Sequence, residues 1–312
     1  LIDPFSGSGV FLAEAKKLNI KATGFDINPC AVELCHFTIF PPEKDLFIKK
    51  VTSILSLIEA KYSKSYKYRD RKIKYFVHEV KSKCSKCSEI NTLSNSTRKG
   101  NRNYCSSCDT KVSFNMEKSC GSIISEIILD DKSSITDKAE IKFVLSQFKS
   151  GNTLFCDRPL IINRRILAFK GMKVSDLIHD RNINVLNFVY NEIDKIEQKN
   201  LRRSVRFFFT SCVVQLTKLL PYRNSLTTGG PAWSIPGFWV APKHLECNPI
   251  NSFHNRLKKV EKAIDSLHRN FTNSIKPVEI INSPFQIGLS KVKDNSVSGF
   301  FFDPPYGDNV PY

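Results

Sequence analysis

The stretch LIDPFSGSGV, residues 1–10, decides the fold. Its apolar start is typical of the end of a buried strand, and the glycine-rich loop after it leads into apolar residues at helical spacing. A second strand and a second helix follow, the helix with Asn28 as its N-cap and Pro29 at its first position. This order predicts an α/β fold that begins a doubly wound parallel sheet. The elements are a strand ending at residue 3, a helix over 10–18, a strand over 21–26 and a helix over 29–39.

The end of the chain contributes a further strand to the predicted sheet. This strand, 300–303, begins as a continuous run of phenylalanines, which is typical of a strand buried on both faces. The stretch 224–243 is rich in Gly and Pro and is predicted to be a loop. Other helices are predicted over 45–61, 136–148, 181–198, 201–220 and 250–271, and another strand over 278–281.

The glycine-rich loop and the acid after the second strand form a pattern typical of nucleotide cofactor sites. Glycines let the backbone approach a ligand closely, and the helix N-terminus that follows favours a carboxylate. Asp26 follows the loop by about 20 residues, where a carboxylate can hold ribose hydroxyls. The pattern predicts an adenosyl-containing cofactor without separating a dinucleotide from S-adenosylmethionine. The candidate residues are Asp3, Pro4, Phe5, Gly7, Gly9, Asp26 and Asn28.

The final strand ends in the motif Asp303-Pro304-Pro305-Tyr306. The exocyclic amine of a base is a poor nucleophile, because its lone pair is delocalised into the ring. The Asp303 carboxylate and the Pro304 carbonyl can each accept one of its N–H bonds. Pro305 holds Pro304 extended, and Tyr306 offers a face for a flipped base. The motif predicts methylation of such an amine, promoted by positioning and by stabilisation of the developing ammonium charge.

These motifs, in this order, resemble the amino-methyltransferases of DNA, and more closely the adenine-specific DNA methylase family that contains a zinc ribbon. The resemblance implies a Rossmann-like methyltransferase fold, S-adenosylmethionine as methyl donor, and DNA whose target adenine is flipped out. It places Asp3, Gly7 and Gly9 at the methionine end, Asp26 at the ribose and 303–306 at the base. Where the family has an acid near the cofactor adenine, this chain has Asn282 or Ser283. The similar stretches are 1–31, the ribbon, 176–186, 239–259 and 299–312.

Four cysteines form two Cys-x-x-Cys pairs, Cys84 with Cys87 and Cys105 with Cys108. Four thiolates in two tight turns predict a tetrahedral structural zinc ion, which supplies folding free energy to a small lobe. A lobe without substrate contact and a ribbon that reads DNA both fit this pattern. His179 and His244 are expected at the surface or hydrogen-bonded, because the cysteines already complete the zinc shell.

Net charge is +17 and is concentrated in the middle of the chain. Residues 61–120 carry fifteen Lys and Arg against five Asp and Glu, whereas 1–42 and 273–312 are each close to neutral. This distribution predicts a nucleic-acid partner for the middle segment. The aromatic residues among these charges either stack on bases or pack a small sheet. They are Tyr62, Tyr66, Tyr68, Tyr75 and Phe76.

The predicted domains follow from these patterns. A discontinuous and incomplete methyltransferase core is expected over 1–42 and 273–312, a zinc-ribbon insert over 61–125, and a mainly helical insert for target recognition over 126–272. The start without Met and the abrupt end predict a fragment of a longer protein, inactive alone.

Several alternatives remain open at this stage. Cytosine N4 is the nearest alternative target, because its amine is similar. RNA is an alternative substrate, since a basic ribbon suits it too. A nucleic-acid-binding module without activity is the alternative from another class. No apolar run approaches the roughly 20 residues of a membrane helix and no signal peptide is present, so we expect a cytoplasmic protein without a membrane partner. A restriction partner is compatible with the resemblance but has no motif of its own.

Overall fold

The computed structural model describes residues 1–148, 153–162, 167–223, 237–271 and 275–304. The protein is mixed α/β, as the sequence predicted, with parallel and antiparallel sheets. The strands are β1 Ile2–Asp3, β2 Ala22–Asp26, β3 Lys67–Tyr68, β4 Arg71–Lys83, β5 Ile90–Asn91, β6 Thr97–Lys99, β7 Arg102–Tyr104, β8 Lys111–Val112, β9 Ser119–Leu129, β10 Ser134–Ile135, β11 Lys243–Cys247 and β12 Val278–Asn282. The α-helices are α1 Val10–Lys17, α2 Pro29–Ile39, α3 Lys44–Tyr62, α4 Lys138–Ser146, α5 Asp180–Asp194, α6 Lys199–Val213, α7 Pro249–Asn270 and α8 Phe285–Leu289. Short 3-10 helices cover Ser63–Tyr66, Met116–Lys118, Val174–Leu177 and Val214–Leu216.

The chain divides into two compact units, each made of separate segments. Unit 1 comprises Leu1–Ser53, Glu192–Ser211 and Asn255–Tyr312. Unit 2 comprises Ile54–Asn191 and Cys212–His254. Unit 1 therefore takes in three helical stretches, 43–53, 192–211 and 255–270, beyond the segments 1–42 and 273–312 expected from the sequence.

Unit 1 contains a parallel sheet built from both ends of the chain. Its strands follow the order β1-β2-β12, and both pairings are parallel. On the other side of β1, Ile2 forms a parallel bridge with Phe300. The Ile2 amide donates to the Gly299 carbonyl at 3.0 Å, and the Phe301 amide donates to the Ile2 carbonyl at 2.9 Å. The parallel order is thus β12, β2, β1 and the segment 299–301.

Helices α1 and α2 supply apolar side chains to the core of this sheet. Leu12 from α1 and Cys35 and Ile39 from α2 are fully buried with Val278 of β12. A side chain at Gly24 of β2 would collide with Leu12, so a glycine here lets the helix approach the sheet. The apolar spacing seen in the sequence therefore marks the buried face of these helices.

The final strand differs from the prediction. The run 300–302 forms only a bridge to β1, and Phe300 and Phe302 are 51% and 60% exposed rather than buried on both faces. The phenylalanines are exposed because, among the described residues, the run lies at the edge of the sheet and pairs only with β1. An apolar run does not distinguish an edge strand from a central one.

Unit 2 contains a larger antiparallel sheet with the path β10-β9-β4-β11. Strand β4 lies between β9 and β11, and β3 and β5 also pair with it. The expected boundary between inserts at residue 125 therefore falls inside β9. Residues 243–247 form β11, although the sequence predicted a loop to 243, and the loop stretch 224–236 lies outside the described residues.

The aromatic residues among the basic charges lie on α3, the 3-10 helix Ser63–Tyr66, β3 and β4, and three of the five are buried. Tyr66, Tyr68 and Phe76 are buried, which supports the packing interpretation over base stacking. A separate three-stranded sheet, β6-β7-β8, follows the first pair of cysteines. No helix among the described residues is both long enough and apolar enough to cross a membrane.

Replacing Gly9 by Ala should destabilise unit 1 more than the same change at Gly7. Both glycines have left-handed φ angles, 81° and 48°, so each substitution costs roughly 1–2 kcal/mol of backbone strain. A Cβ at Gly9 would also stand 2.3 Å from Sγ of Cys35, whereas a Cβ at Gly7 meets only the Phe5 carbonyl at 3.9 Å. The additional cost for Gly9→Ala is roughly 1–3 kcal/mol.

Denaturant unfolding of the two variants measures this difference. Adding Cys35→Ala to Gly9→Ala should recover part of the loss. Equal destabilisation by Gly7→Ala and Gly9→Ala would contradict the proposed contact.

Candidate functional site

A cavity of about 630 Å³ in unit 1 is lined by both ends of the chain. The loop between β1 and α1 forms one wall, the end of β2 another, and the segment 301–304 a third. The polypeptide brings these walls together because parallel strands expose their carboxyl ends at one edge of the sheet. The lining residues are Asp3, Pro4, Phe5, Ser6, Gly7, Ser8, Val10, Phe11, Asp26, Ile27, Pro284, Phe285, Gln286, Phe301, Asp303 and Pro304.

The Asp26 carboxylate organises the glycine-rich loop. Its Oδ2 accepts a hydrogen bond from the Gly7 amide at 2.8 Å, and its Oδ1 accepts one from the Asn28 amide at 2.8 Å. Asn28 in turn accepts from the Cys30 amide and caps α2, as the sequence predicted. Asp26 thus faces the cavity while holding both loops that border it.

Three carboxylates, those of Asp3, Asp26 and Asp303, line this cavity. Burial raises the pKa of Asp3 to about 6; a hydrogen bond from the Phe5 amide opposes this shift, while the nearby charges of Asp26 and Asp303 reinforce it. Such a cluster gives the cavity a negative potential, which suits a positively charged ligand.

The predicted site residues do not all reach the cavity. Asp3, Pro4, Phe5, Gly7, Asp26, Asp303 and Pro304 line it. Gly9 instead packs against Cys35, and Asn28 serves as the cap of α2. Pro305 and Tyr306 lie outside the described residues.

The segment after β12 contributes residues that the motifs did not reveal. Phe285 and Gln286 line the cavity, and the Phe285 ring lies 5.0 Å from the ring of Phe5. The available signal was their position directly after a predicted strand, without a recognisable motif. The Asp26 carbonyl accepts hydrogen bonds from the Asn282 side-chain amide and the Ser283 main-chain amide. The two positions considered for an adenine contact thus link β12 to β2.

The four predicted metal ligands form one cluster in unit 2. The Sγ atoms of Cys84, Cys87, Cys105 and Cys108 all lie within 4.8 Å of one another, and two pairs are 3.5 Å apart. Sulfurs placed 2.3 Å from a tetrahedral zinc stand roughly 3.8 Å apart. The cluster therefore fits a metal such as zinc.

Both Cys-x-x-Cys turns have the same backbone design. The amide of Ser88 donates to the Cys84 carbonyl, and the amide of Asp109 donates to the Cys105 carbonyl. Ser88 and Asp109 both have left-handed φ angles, 62° and 57°. Each turn therefore contributes two thiols, and the two turns together supply the four sulfurs that a tetrahedral zinc site needs.

Hydrogen bonds to the sulfur of Cys105 favour its thiolate form, which is the form that binds metal. Burial raises the pKa of Cys105, but donors from the Ser107 amide, the Asn91 side chain and the Cys108 amide outweigh it and lower the pKa to about 6. Asn91 is fully buried and also accepts from the Ser106 amide. The Asn91 side chain thus holds both the second Cys-x-x-Cys turn and the sulfur of Cys105 in place.

Two histidines are buried rather than at the surface. His179 and His244 are 6% and 1% exposed, and Nδ1 of His244 lies 2.9 Å from the Ala241 carbonyl, which fits the hydrogen-bonded alternative for that residue. Among the described residues, Nε2 of each has no hydrogen-bond partner. The sequence offered no signal for this, because their environment is formed by distant segments.

Comparison with protein-family models, curated proteins and solved structures finds no match to this chain. The resemblance to a DNA methylase family therefore stays a hypothesis that rests on the sequence motifs.

Replacing Cys87 by Ser should abolish the thiolate-to-metal charge-transfer absorption of the cobalt-substituted protein. It should also expose residues 84–112 to proteolysis, because the small sheet there has little core without the metal. Cys120→Ser is the matched control, since Cys120 is exposed and outside the cluster. Unchanged absorption and protease resistance in Cys87→Ser would show that the cluster holds no metal.

Replacing Asp3 by Asn should remove a pH dependence from the stability of unit 1. The folded pKa of about 6 lies above the ordinary 3.8, so the folded state holds this proton more tightly. Protonated Asp3 therefore stabilises the folded state relative to ionised Asp3. This contribution is fully present below about pH 4 and is lost as the pH rises through about 6. Asn stays neutral, so the variant should be more stable at pH 7.5 by up to about 3 kcal/mol and equal near pH 4.

Unfolding free energies of wild type and Asp3→Asn at both pH values, without added ligand, measure this effect. Asp294→Asn, at an exposed position, is the control. A variant less stable than wild type at pH 7.5 would refute the burial of a charge at Asp3.

Proposed function

We propose that this chain provides the catalytic core for methyl transfer from S-adenosylmethionine to the exocyclic amine of a DNA base, adenine N6. The observation that carries the proposal is the shared cavity. It joins Asp3, Gly7 and Asp26 from the start of the chain to Asp303 and Pro304 from its end. The parallel order β12, β2, β1 and 299–301 supports the finer proposal of a Rossmann-like core.

The residues of the cavity fit such a cofactor. A volume of about 630 Å³ lies within the range of pockets that enclose ligands of this size. The carboxylates of Asp3 and Asp26 suit an ammonium, a sulfonium and ribose hydroxyls. No side chain among the described residues caps α1, so its first amides can receive a carboxylate. The Phe5 and Phe285 rings offer apolar faces. When bound, the cofactor supplies an electrophilic methyl group.

Asp303 and Pro304 would hold the target amine. The Asp303 carboxylate accepts one N–H bond and the Pro304 carbonyl accepts the other, which orients the nitrogen lone pair towards the methyl donor. Asp303 is exposed and Pro304 half-buried, so both are accessible to a base entering from solvent. The negative charge of Asp303 also stabilises the ammonium that develops during transfer.

The charge of the ribbon supports a nucleic-acid substrate. The Lys and Arg side chains of this lobe are exposed to solvent, so they are accessible to the phosphates of a nucleic acid. These exposed cations are Lys86, Arg98, Lys99, Arg102 and Lys111. The ribbon would then hold the DNA while the cavity acts on one extruded base.

This function is tested by measuring methyl transfer with the protein purified from the organism that encodes it. DNA and RNA of mixed sequence are supplied with labelled S-adenosylmethionine, and the nucleosides are analysed. We expect N6-methyladenine in DNA. Replacing Asp303 by Ala should lower the rate by roughly 100-fold or more, because the amine loses its charged acceptor.

Asp294→Ala is the matched control, because Asp294 is an exposed acid outside the cavity. Calorimetry on Asp303→Ala should show cofactor affinity largely unchanged. N4-methylcytosine without N6-methyladenine would overturn the choice of base, and methylated RNA alone the choice of nucleic acid. Absence of cofactor binding would favour a binding module without activity.

A further inference from the structure

Three buried histidines of unit 2 form a second cluster with metal-binding geometry. One nitrogen of each of His78, His179 and His244 lies within 4.8 Å of one nitrogen of each of the other two. All three side chains are at least nine-tenths buried. We propose that these histidines bind a divalent transition-metal ion, distinct from the ion held by the four cysteines.

The sheet itself brings two of these rings together. His78 of β4 and His244 of β11 are direct partners in the antiparallel register, so their side chains project from the same face. Glu246 of β11 lies two residues further along that face. His179 precedes α5, and its ring centre lies 3.9 Å from that of His78.

The hydrogen bonds of His78 and His244 leave one unprotonated nitrogen on each neutral ring. Nδ1 of His244 lies 2.9 Å from the Ala241 carbonyl, which only accepts, so Nδ1 carries the hydrogen and Nε2 carries a lone pair. Nε2 of His78 lies 2.8 Å from the Glu246 carboxylate and donates to it, so Nδ1 carries the lone pair. Nδ1 accepts a hydrogen bond from the Ser122 hydroxyl at 3.2 Å, which a bound ion would replace. Donation from the outer nitrogen to a carboxylate or carbonyl is the usual arrangement of metal-binding histidines.

Glu246 is held in place by a buried ion pair with Arg181. Arg181 donates to Oε1 through Nε at 2.7 Å and to Oε2 through Nη2 at 3.3 Å. Glu246 therefore acts as the acceptor that fixes the orientation of the His78 ring.

Two buried nitrogens point to a missing ligand. Among the described residues, Nε2 of His179 and Nε2 of His244 have no partner, although buried polar atoms are nearly always satisfied. A metal ion would satisfy both at once. Nitrogens placed 2.1 Å from a tetrahedral zinc stand roughly 3.4 Å apart. The three rings are stacked, with interplanar angles of 26°, 11° and 16°, so binding an ion within the observed 4.8 Å spacing requires them to turn until their lone pairs converge.

Charge and space around the cluster permit such an ion. The cations Arg181 and Lys218 are matched by the carboxylates of Glu246 and Asp180. A cavity of about 300 Å³ borders His78 and His179 and can hold a fourth ligand such as water. Imidazole donors suit zinc, copper, iron and nickel, and three of them with one open position form a common catalytic set.

Metal content of the full chain tests the proposal. Protein saturated with Zn²⁺ and freed of excess metal should retain about two equivalents per chain, one at each cluster. His179→Gln and His244→Gln should each retain about one. His254→Gln is the matched control, because His254 is a half-exposed histidine paired with Glu59 and should keep two.

Cobalt substitution separates the two sites independently of the histidine variants. In Cys87→Ser, Co²⁺ should lose its thiolate charge-transfer absorption yet keep the weaker d–d bands of a site with nitrogen ligands. A single equivalent in wild type overturns the proposal, even where the histidine variants fail to fold. Two equivalents retained in both folded histidine variants overturn it as well.

Discussion

Two main-chain hydrogen bonds, from Ile2 to Gly299 and from Phe301 to Ile2, join the beginning of this chain to its end. Closing a loop of nearly 300 residues costs roughly 5 kcal/mol of entropy. Two such bonds contribute only about 1 kcal/mol each. The remainder must come from the pairing of β2 with β12, from apolar burial between α1, α2 and the sheet, and from folding of the intervening chain, which shortens the effective loop. The candidate active site therefore depends on the packing behind it.

The cavity at this junction concentrates carboxylates at a cost in stability. Burial and the nearby charges of Asp26 and Asp303 raise the pKa of Asp3, so the charged cavity lowers the stability of the fold near neutral pH. Proteins tolerate such strain where a ligand relieves it. A cationic cofactor would do so, which connects the electrostatics of the folded chain with the chemistry proposed for it.

Unit 2 presents two kinds of metal ligand in different structural settings. The cysteines lie on paired turns close in sequence, and thiolates in such turns bind zinc for structural reasons. The three histidines come from β4, β11 and the residue before α5, and two of them, His78 and His179, border a cavity. Thiolates complete one coordination shell, whereas the imidazoles leave space for an exchangeable ligand. The two clusters therefore suit a structural and a reactive ion respectively.

Much of the local structure was predictable from the sequence. Helices α1 and α2, the Asn28 cap and the clustering of the four cysteines depend on residues near one another, where spacing and turn chemistry decide the outcome. The edge position of 300–302 was not predictable, because an apolar run does not reveal which strands flank it.

By itself, the sequence determined which short segments become helices, turns and strands, and which residue types stand at their ends. The tertiary structure decided which ends meet. It placed Asp303 beside Asp3, brought Phe285 into the cavity and stacked His179 on His78. The physical reason is that these contacts join residues far apart in the chain. They follow from the register of paired strands and the burial of whole helix faces, which no local pattern encodes.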